Sequence, residues 1–113
     1  MSEEMVESWQ HKIASMAKEI AKAETDVVVA DAECKKLSAV LEVKAMGEGF
    51  KTHASQRQQA DITDELYKSR LAIGVAKGAL QGLKIELKSL EVGFEEWRTK
   101  MVNAREERKR YGA

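Results

Sequence analysis

The sequence predicts an all-α chain: two long helices in an antiparallel coiled-coil hairpin, oligomerising through a second, small-residue face. Three observations predict it. Apolar residues recur at alternating steps of three and four along nearly the whole length. The 113 residues include no proline, so nothing interrupts the periodic runs from within. Charged residues make up 34% and aromatic residues 5%, a balance that suits long helices better than a globular core. At this length the chain is a single domain, residues 1–113.

The first helix is expected over residues 3–46. Ser2 is a candidate N-cap, and Glu3 and Glu4 stand where the helix dipole is positive. The seam then runs Val6, Trp9, Ile13, Met16, Ile20, Ala23, Val27, Ala30, Cys34, Leu37, Leu41 without a slip. A turn is expected over 47–54, where Gly47 and Gly49 stop the helix. The second helix is expected over 55–110. Ser55 with Gln58 forms a candidate capping box, and Thr52 is the rival cap. Its seam reads Ile62, Leu66, Ser69, Ile73, Ala76, Leu80, Leu83, Leu87, Leu90, Phe94, Trp97, Met101, Ala104, apolar at every stop but Ser69.

Two long helices joined by a short turn fold back on each other. A register in which paired residue numbers sum to 103 centres the turn on the glycine loop. It sets Val6 against Trp97, Trp9 against Phe94, Ala23 against Leu80, Cys34 against Ser69 and Leu41 against Ile62. Large residues then face small ones through the middle, as dense packing requires. The acidic start (Glu3, Glu4, Glu7) falls beside Arg98, Lys100 and Arg105, and the chain from about Ala104 overhangs.

The seam does not use all the apolar residues. Gly74, Gly78 and Gly82 lie off it, four apart, and each glycine costs a helix interior about 1 kcal/mol relative to alanine. Leu71, Val75, Ile85 and Val92 flank them, and on the first helix Val28, Val29, Ala32, Ala39 and Val43 also point away from the seam. A hairpin of this size buries little by itself. Leu71, Gly74, Val75, Gly78, Gly82 and Ile85 with Val28 and Ala32 are therefore the expected interface of a homo-oligomer.

The composition excludes several functions. Lysine plus arginine equals aspartate plus glutamate, so no global field draws in nucleic acid or membrane. The single Cys34 excludes an internal disulfide, and on the seam it reads as packing rather than a nucleophile. The acidic start MSEEMVESWQ has no apolar core of a signal peptide, and no run approaches the roughly 20 apolar residues of a membrane span. The expectation is a soluble, cytoplasmic protein. His11 pairs with nearby Glu7, and His53 has no second ligand near it, so no metal site is expected. No pair of groups is placed for catalysis; neither an enzyme nor a cofactor is predicted.

Local charge is uneven. Residues 1–46 hold nine acids and six bases, and residues 55–113 nine acids and twelve bases. One basic group surrounds the turn: Lys44, Lys51, His53 and Arg57, with Phe50 among them. The other ends the chain: Arg98, Lys100, Arg105, Arg108, Lys109 and Arg110, then Tyr111. Cations with an interleaved aromatic suit single-stranded nucleic acid, where phosphates meet the charge and bases stack. The competing reading is a solvated helix end complementing the dipole. Trp9, Phe94 and Trp97 read first as core, and second as a stacking platform.

The turn Lys-Thr-His-Ala-Ser-Gln-Arg (51–57) and the run Glu-Glu-Trp-Arg-Thr (95–99), set in a long helical pair, resemble small all-helical proteins of bacteriophage replication and recombination modules. The layout is similar to that of UvsY-type recombination mediators. The resemblance implies a cyclic oligomer of helical hairpins that binds single-stranded DNA and helps load a recombinase, in the cytoplasm of a bacterial host. Carried over, Lys51 and Arg57 are the DNA contacts. This chain differs in its very short turn and added basic tail. The functional expectation is a non-enzymatic oligomeric accessory protein for single-stranded nucleic acid. The alternative is a protein–protein module, a structural coiled coil or a phage-encoded inhibitor of a host protein, without nucleic-acid binding.

Overall fold

The computed structural model describes residues 2–111, and the Ser2 side chain, hence the expected Ser2 cap, lies outside the described residues. The described residues form three helices and no strand: α1 (Ser2–Gly47), α2 (His53–Asp61) and α3 (Asp64–Arg110). The all-α class stands as expected. The boundaries change in one place. The second helix is not continuous over 55–110; it is interrupted at Ile62 and Thr63.

Each end in this region has a local cause. α1 stops in a pair of reversed hydrogen bonds, Phe50 N–H to the Ala45 carbonyl at 3.2 Å and Gly49 N–H to the Met46 carbonyl at 3.2 Å. That closure requires a left-handed residue, and Gly49 supplies it at φ +104. The turn is shorter than the expected 47–54, since Gly47 is still helical and α2 starts at His53. Thr52, not Ser55, caps α2. Its hydroxyl accepts the Ser55 amide at 3.1 Å, and the Ser55 hydroxyl donates back to the Thr52 carbonyl at 2.9 Å. Ser55 thus sits in the first turn.

The interruption is built by Thr63. Its hydroxyl donates to the Ala60 carbonyl at the end of α2 (2.8 Å) and accepts the Leu66 amide at the start of α3 (3.3 Å). Asp64 and Glu65 place acids in the first turn of α3, where the dipole favours them. Arg70 reaches back across the interruption to Asp61, Nη2 to Oδ1 at 2.7 Å.

The chain divides into two compact units, residues 21–81 and residues 1–20 with 82–113. In the first, Cys34, Leu41, Ala60 and Leu66 form the buried cluster, with Leu37 and Ile73 packed against it. Leu66 is fully buried, whereas Ile62 is 73% exposed. The expected pairing of Ile62 with Leu41 is therefore corrected: the turn at Ile62–Thr63 changes the helical phase, and Ala60 and Leu66 join the cluster with Leu41 instead. Glu42 of α1 meets Arg57 of α2 at 3.8 Å.

In the second unit Trp9 lies against Phe94, ring centroids 6.0 Å apart and tilted, and Phe94 stacks with Trp97 at 6.1 Å. Lys12 stands over the Trp9 ring and Arg98 over the Phe94 ring. Along α1 every seam residue from Val6 to Leu41 is buried or half-buried, and along α3 so is every one from Leu66 to Ala104.

Candidate interaction surfaces

The residues of the basic turn lie on three local elements. Lys44 is in the last turn of α1, Phe50 and Lys51 are in the loop, and His53 and Arg57 are on α2. Lys44, Lys51, His53 and Arg57 are exposed, and Phe50 is half-buried. The loop is held in shape by the Gln56 side chain, whose Nε2 donates to the Phe50 carbonyl at 2.9 Å. Arg57 is not a free cation: its Nε faces Glu42 Oε1. Exposed Glu48 adds a second acid in the loop. The structure thus brings the turn residues together and also brings acids among them, which lowers the local positive potential.

The basic tail lies in and near the last turn of α3, with Arg108, Lys109 and Arg110 where cations complement the helix dipole. Tyr111 follows in a turn and is 78% exposed. Arg105 joins Arg98, Glu3 and Glu7 around an open groove of about 500 Å³ floored by Val6, Trp97 and Met101. The acidic start of α1 therefore lies beside part of the basic end of α3, as the sequence suggested. The floor is apolar and the rim carries both signs of charge.

The third surface is the one named by the glycines. A Cβ built on Gly74, Gly78 or Gly82 meets nothing within 4 Å in its own chain. Val28, Leu71, Val75 and Ile85 are all more than half exposed, and Ala32 is exposed as well. None of the residues expected at an oligomer interface is used to build the chain's own buried cluster.

Two features escaped the sequence reading. One is Gly93, where an added Cβ would come within 3.2 Å of Trp9; its position one residue from the seam gave no signal of a close approach. The other is the Thr63 junction with its Asp61–Arg70 clamp. Thr63 followed by Asp64 and Glu65 is a helix-start pattern, and that signal was available. Cys34 is a free thiol within the buried cluster, and His11 is exposed. Among the described residues no group of His, Cys, Asp and Glu stands close enough to hold a metal ion. Among the described residues no helix is long and apolar enough to cross a membrane. No family model, curated protein or solved structure matches the chain.

Proposed function

We propose that the chain is a non-enzymatic helical accessory protein that works as a homo-oligomer and holds single-stranded nucleic acid against its basic ends. In this reading α1 and α3 form an antiparallel coiled-coil hairpin in the register that sets Trp9 beside Phe94, and the contact of those two rings supports it. Hairpins associate through Leu71, Gly74, Val75, Gly78, Gly82 and Ile85, with Val28 and Ala32 of α1.

The observation that carries the proposal is the exposed apolar and glycine face. Apolar groups that remain in water contribute nothing to stability until a partner covers them. Association also supplies the missing affinity. A single turn offers Lys44, Lys51 and His53 beside two acids, too little charge for tight binding alone. Several turns brought together bind multivalently, and phosphate contacts add. The resemblance to phage recombination mediators gives the same assignment, with a recombinase as the protein partner and the cytoplasm of a bacterial host as the place of action.

A second reading keeps the assembly and removes the nucleic acid: a protein–protein module. The Glu42–Arg57 pair and the formal net charge of zero favour it. A fluorescence titration with a labelled single-stranded oligonucleotide at low salt separates the two. The first reading expects binding that weakens on a log–log plot as salt rises, with a slope that counts neutralised phosphates. No binding at micromolar protein leaves the second.

A further inference from the structure

The groove beside Trp97 is a slot between two helices. Glu3, Glu7 and Gln10 line its α1 side, and Arg98, Met101 and Arg105 its α3 side. On each helix these residues span seven steps, two turns or about 10 Å. The slot therefore follows both helices. Its floor is apolar: Val6, Trp97 and Met101 are half-buried, and Val102 beside them is 54% exposed.

The two walls differ in charge. The charges of the α1 wall are both acids, Glu3 and Glu7, and those of the α3 wall are both cations, Arg98 and Arg105. All four residues are exposed. Among the described residues Glu3, Glu7 and Arg105 make no ion pair, and Arg98 meets Glu95 of its own helix at 3.3 Å. No pair crosses the slot, so both rows of charge face what lies between them.

Shape and charge together select the occupant. An open slot of about 500 Å³, two turns long, takes one edge of a helix, with apolar side chains at three- and four-residue steps. Small-molecule sites enclose most of their ligand, and this slot is open. A phosphate chain lying in it would meet Glu3 and Glu7. A second copy presenting the same slot would set hollow against hollow and leave both floors unfilled.

We infer that the slot docks an amphipathic helix of another protein, one with cations along one edge and acids along the other. Its cationic edge lies on Glu3 and Glu7, and its acidic edge on Arg98 and Arg105, as flanking charges pair in coiled coils. A helix reversed end to end would carry each edge to the wrong wall, so the charges also fix its direction. The docking goes beyond the nucleic-acid reading and does not depend on it.

Three labelled peptides, kept dilute enough not to pair, test this against the full chain by fluorescence anisotropy. All share one stripe of leucines at heptad steps. The first has Lys along one edge and Glu along the other, the second Lys on both, the third Glu on both. The mixed peptide is expected to bind about tenfold more tightly than either of the others. Glu3→Lys with Glu7→Lys makes both walls cationic and should transfer the preference to the all-Glu peptide. Val102→Glu, a charge beside the floor, should abolish binding of the mixed peptide. All three positions are exposed, and circular dichroism checks that the variants keep their helix. Equal binding of the three peptides, no binding of any, or a preference that the double Lys variant does not move would overturn the docking. An oligonucleotide bound by the parent and lost in Val102→Glu would make nucleic acid the occupant. A light-scattering mass that falls with the same variant would make it a second copy. Either result also overturns the inference.

Discussion

The indole of Trp9 occupies the space a side chain at position 93 would need. A Cβ on Gly93 would stand 3.2 Å from its Cη2 and 3.6 Å from its Cζ3. Gly93→Val is therefore expected to push Trp9 off Phe94 and to destabilise the chain by about 1–3 kcal/mol, the usual cost of overpacking. Thermal melts and the tryptophan emission of a Trp97→Phe background measure it, with a red shift expected. Gly47→Ala serves as the contrast. Nothing lies within 4 Å of its Cβ, and removing a helical glycine there should stabilise by some tenths up to about 1 kcal/mol. A Gly93→Val chain as stable as the parent would contradict the packing described.

Thr63 is the second place where one side chain decides local structure. Thr63→Ala removes both the bond to the Ala60 carbonyl and the cap on the Leu66 amide. A loss of about 1 kcal/mol is expected in urea unfolding. Thr63→Ser should retain most of that stability, since it keeps the hydroxyl. Arg70→Ala, which breaks an exposed pair with Asp61, is expected to cost under ~1 kcal/mol.

Leu66 and Leu71 are about one and a half helical turns apart and should behave oppositely. Leu66 is fully buried and Leu71 is 51% exposed. Leu66→Ala is expected to cost about 2–5 kcal/mol through the cavity it leaves. Leu71→Ala should leave unfolding of the dilute chain nearly unchanged and lower the mass seen by light scattering at high concentration. Val75→Lys should lower that mass further, because it places a charge in the proposed interface. A mass unchanged in both would remove this face as the site of assembly.

For nucleic acid, charge reversal at Lys51 together with Lys44 should weaken oligonucleotide binding and flatten its salt slope by about one unit for each phosphate no longer neutralised. Reversal of Arg57, already engaged with Glu42, should weaken it less than reversal of Lys51. Lys18, exposed on α1 far from the turn in sequence, is the control and should have little effect. Equal effects at Lys18 and Lys51 would mean that the turn is not the binding site.

Much of this was legible in the residues because burial along a helix packed on one face is periodic. The α1 seam from Val6 to Leu41 was readable without error, since each stop is apolar and recurs in step. The Trp9–Phe94 contact followed from counting outward from the glycine turn. The Ile62–Thr63 junction was not read, because Ile62 falls at the right step for a seam that continues. Counting apolar positions cannot see a change of phase across two residues. The helix-start pattern Thr63-Asp64-Glu65 could have warned of it. The open space around Gly74, Gly78 and Gly82 was legible because the three lie off the seam. The state of Arg57 was not, since Glu42 is distant in sequence and reaches it only through the turn.

The burial of Cys34 at 8% exposure has a use beyond packing. As the chain's single thiol it is shielded while the cluster around Leu41 and Leu66 stays closed, and it reacts only when that cluster opens. The rate at which a thiol reagent in excess consumes it is then a direct clock of opening in residues 21–81. Variants at Thr63 and Leu66 should speed that clock in step with the stability they lose, and any ligand that clamps this unit should slow it.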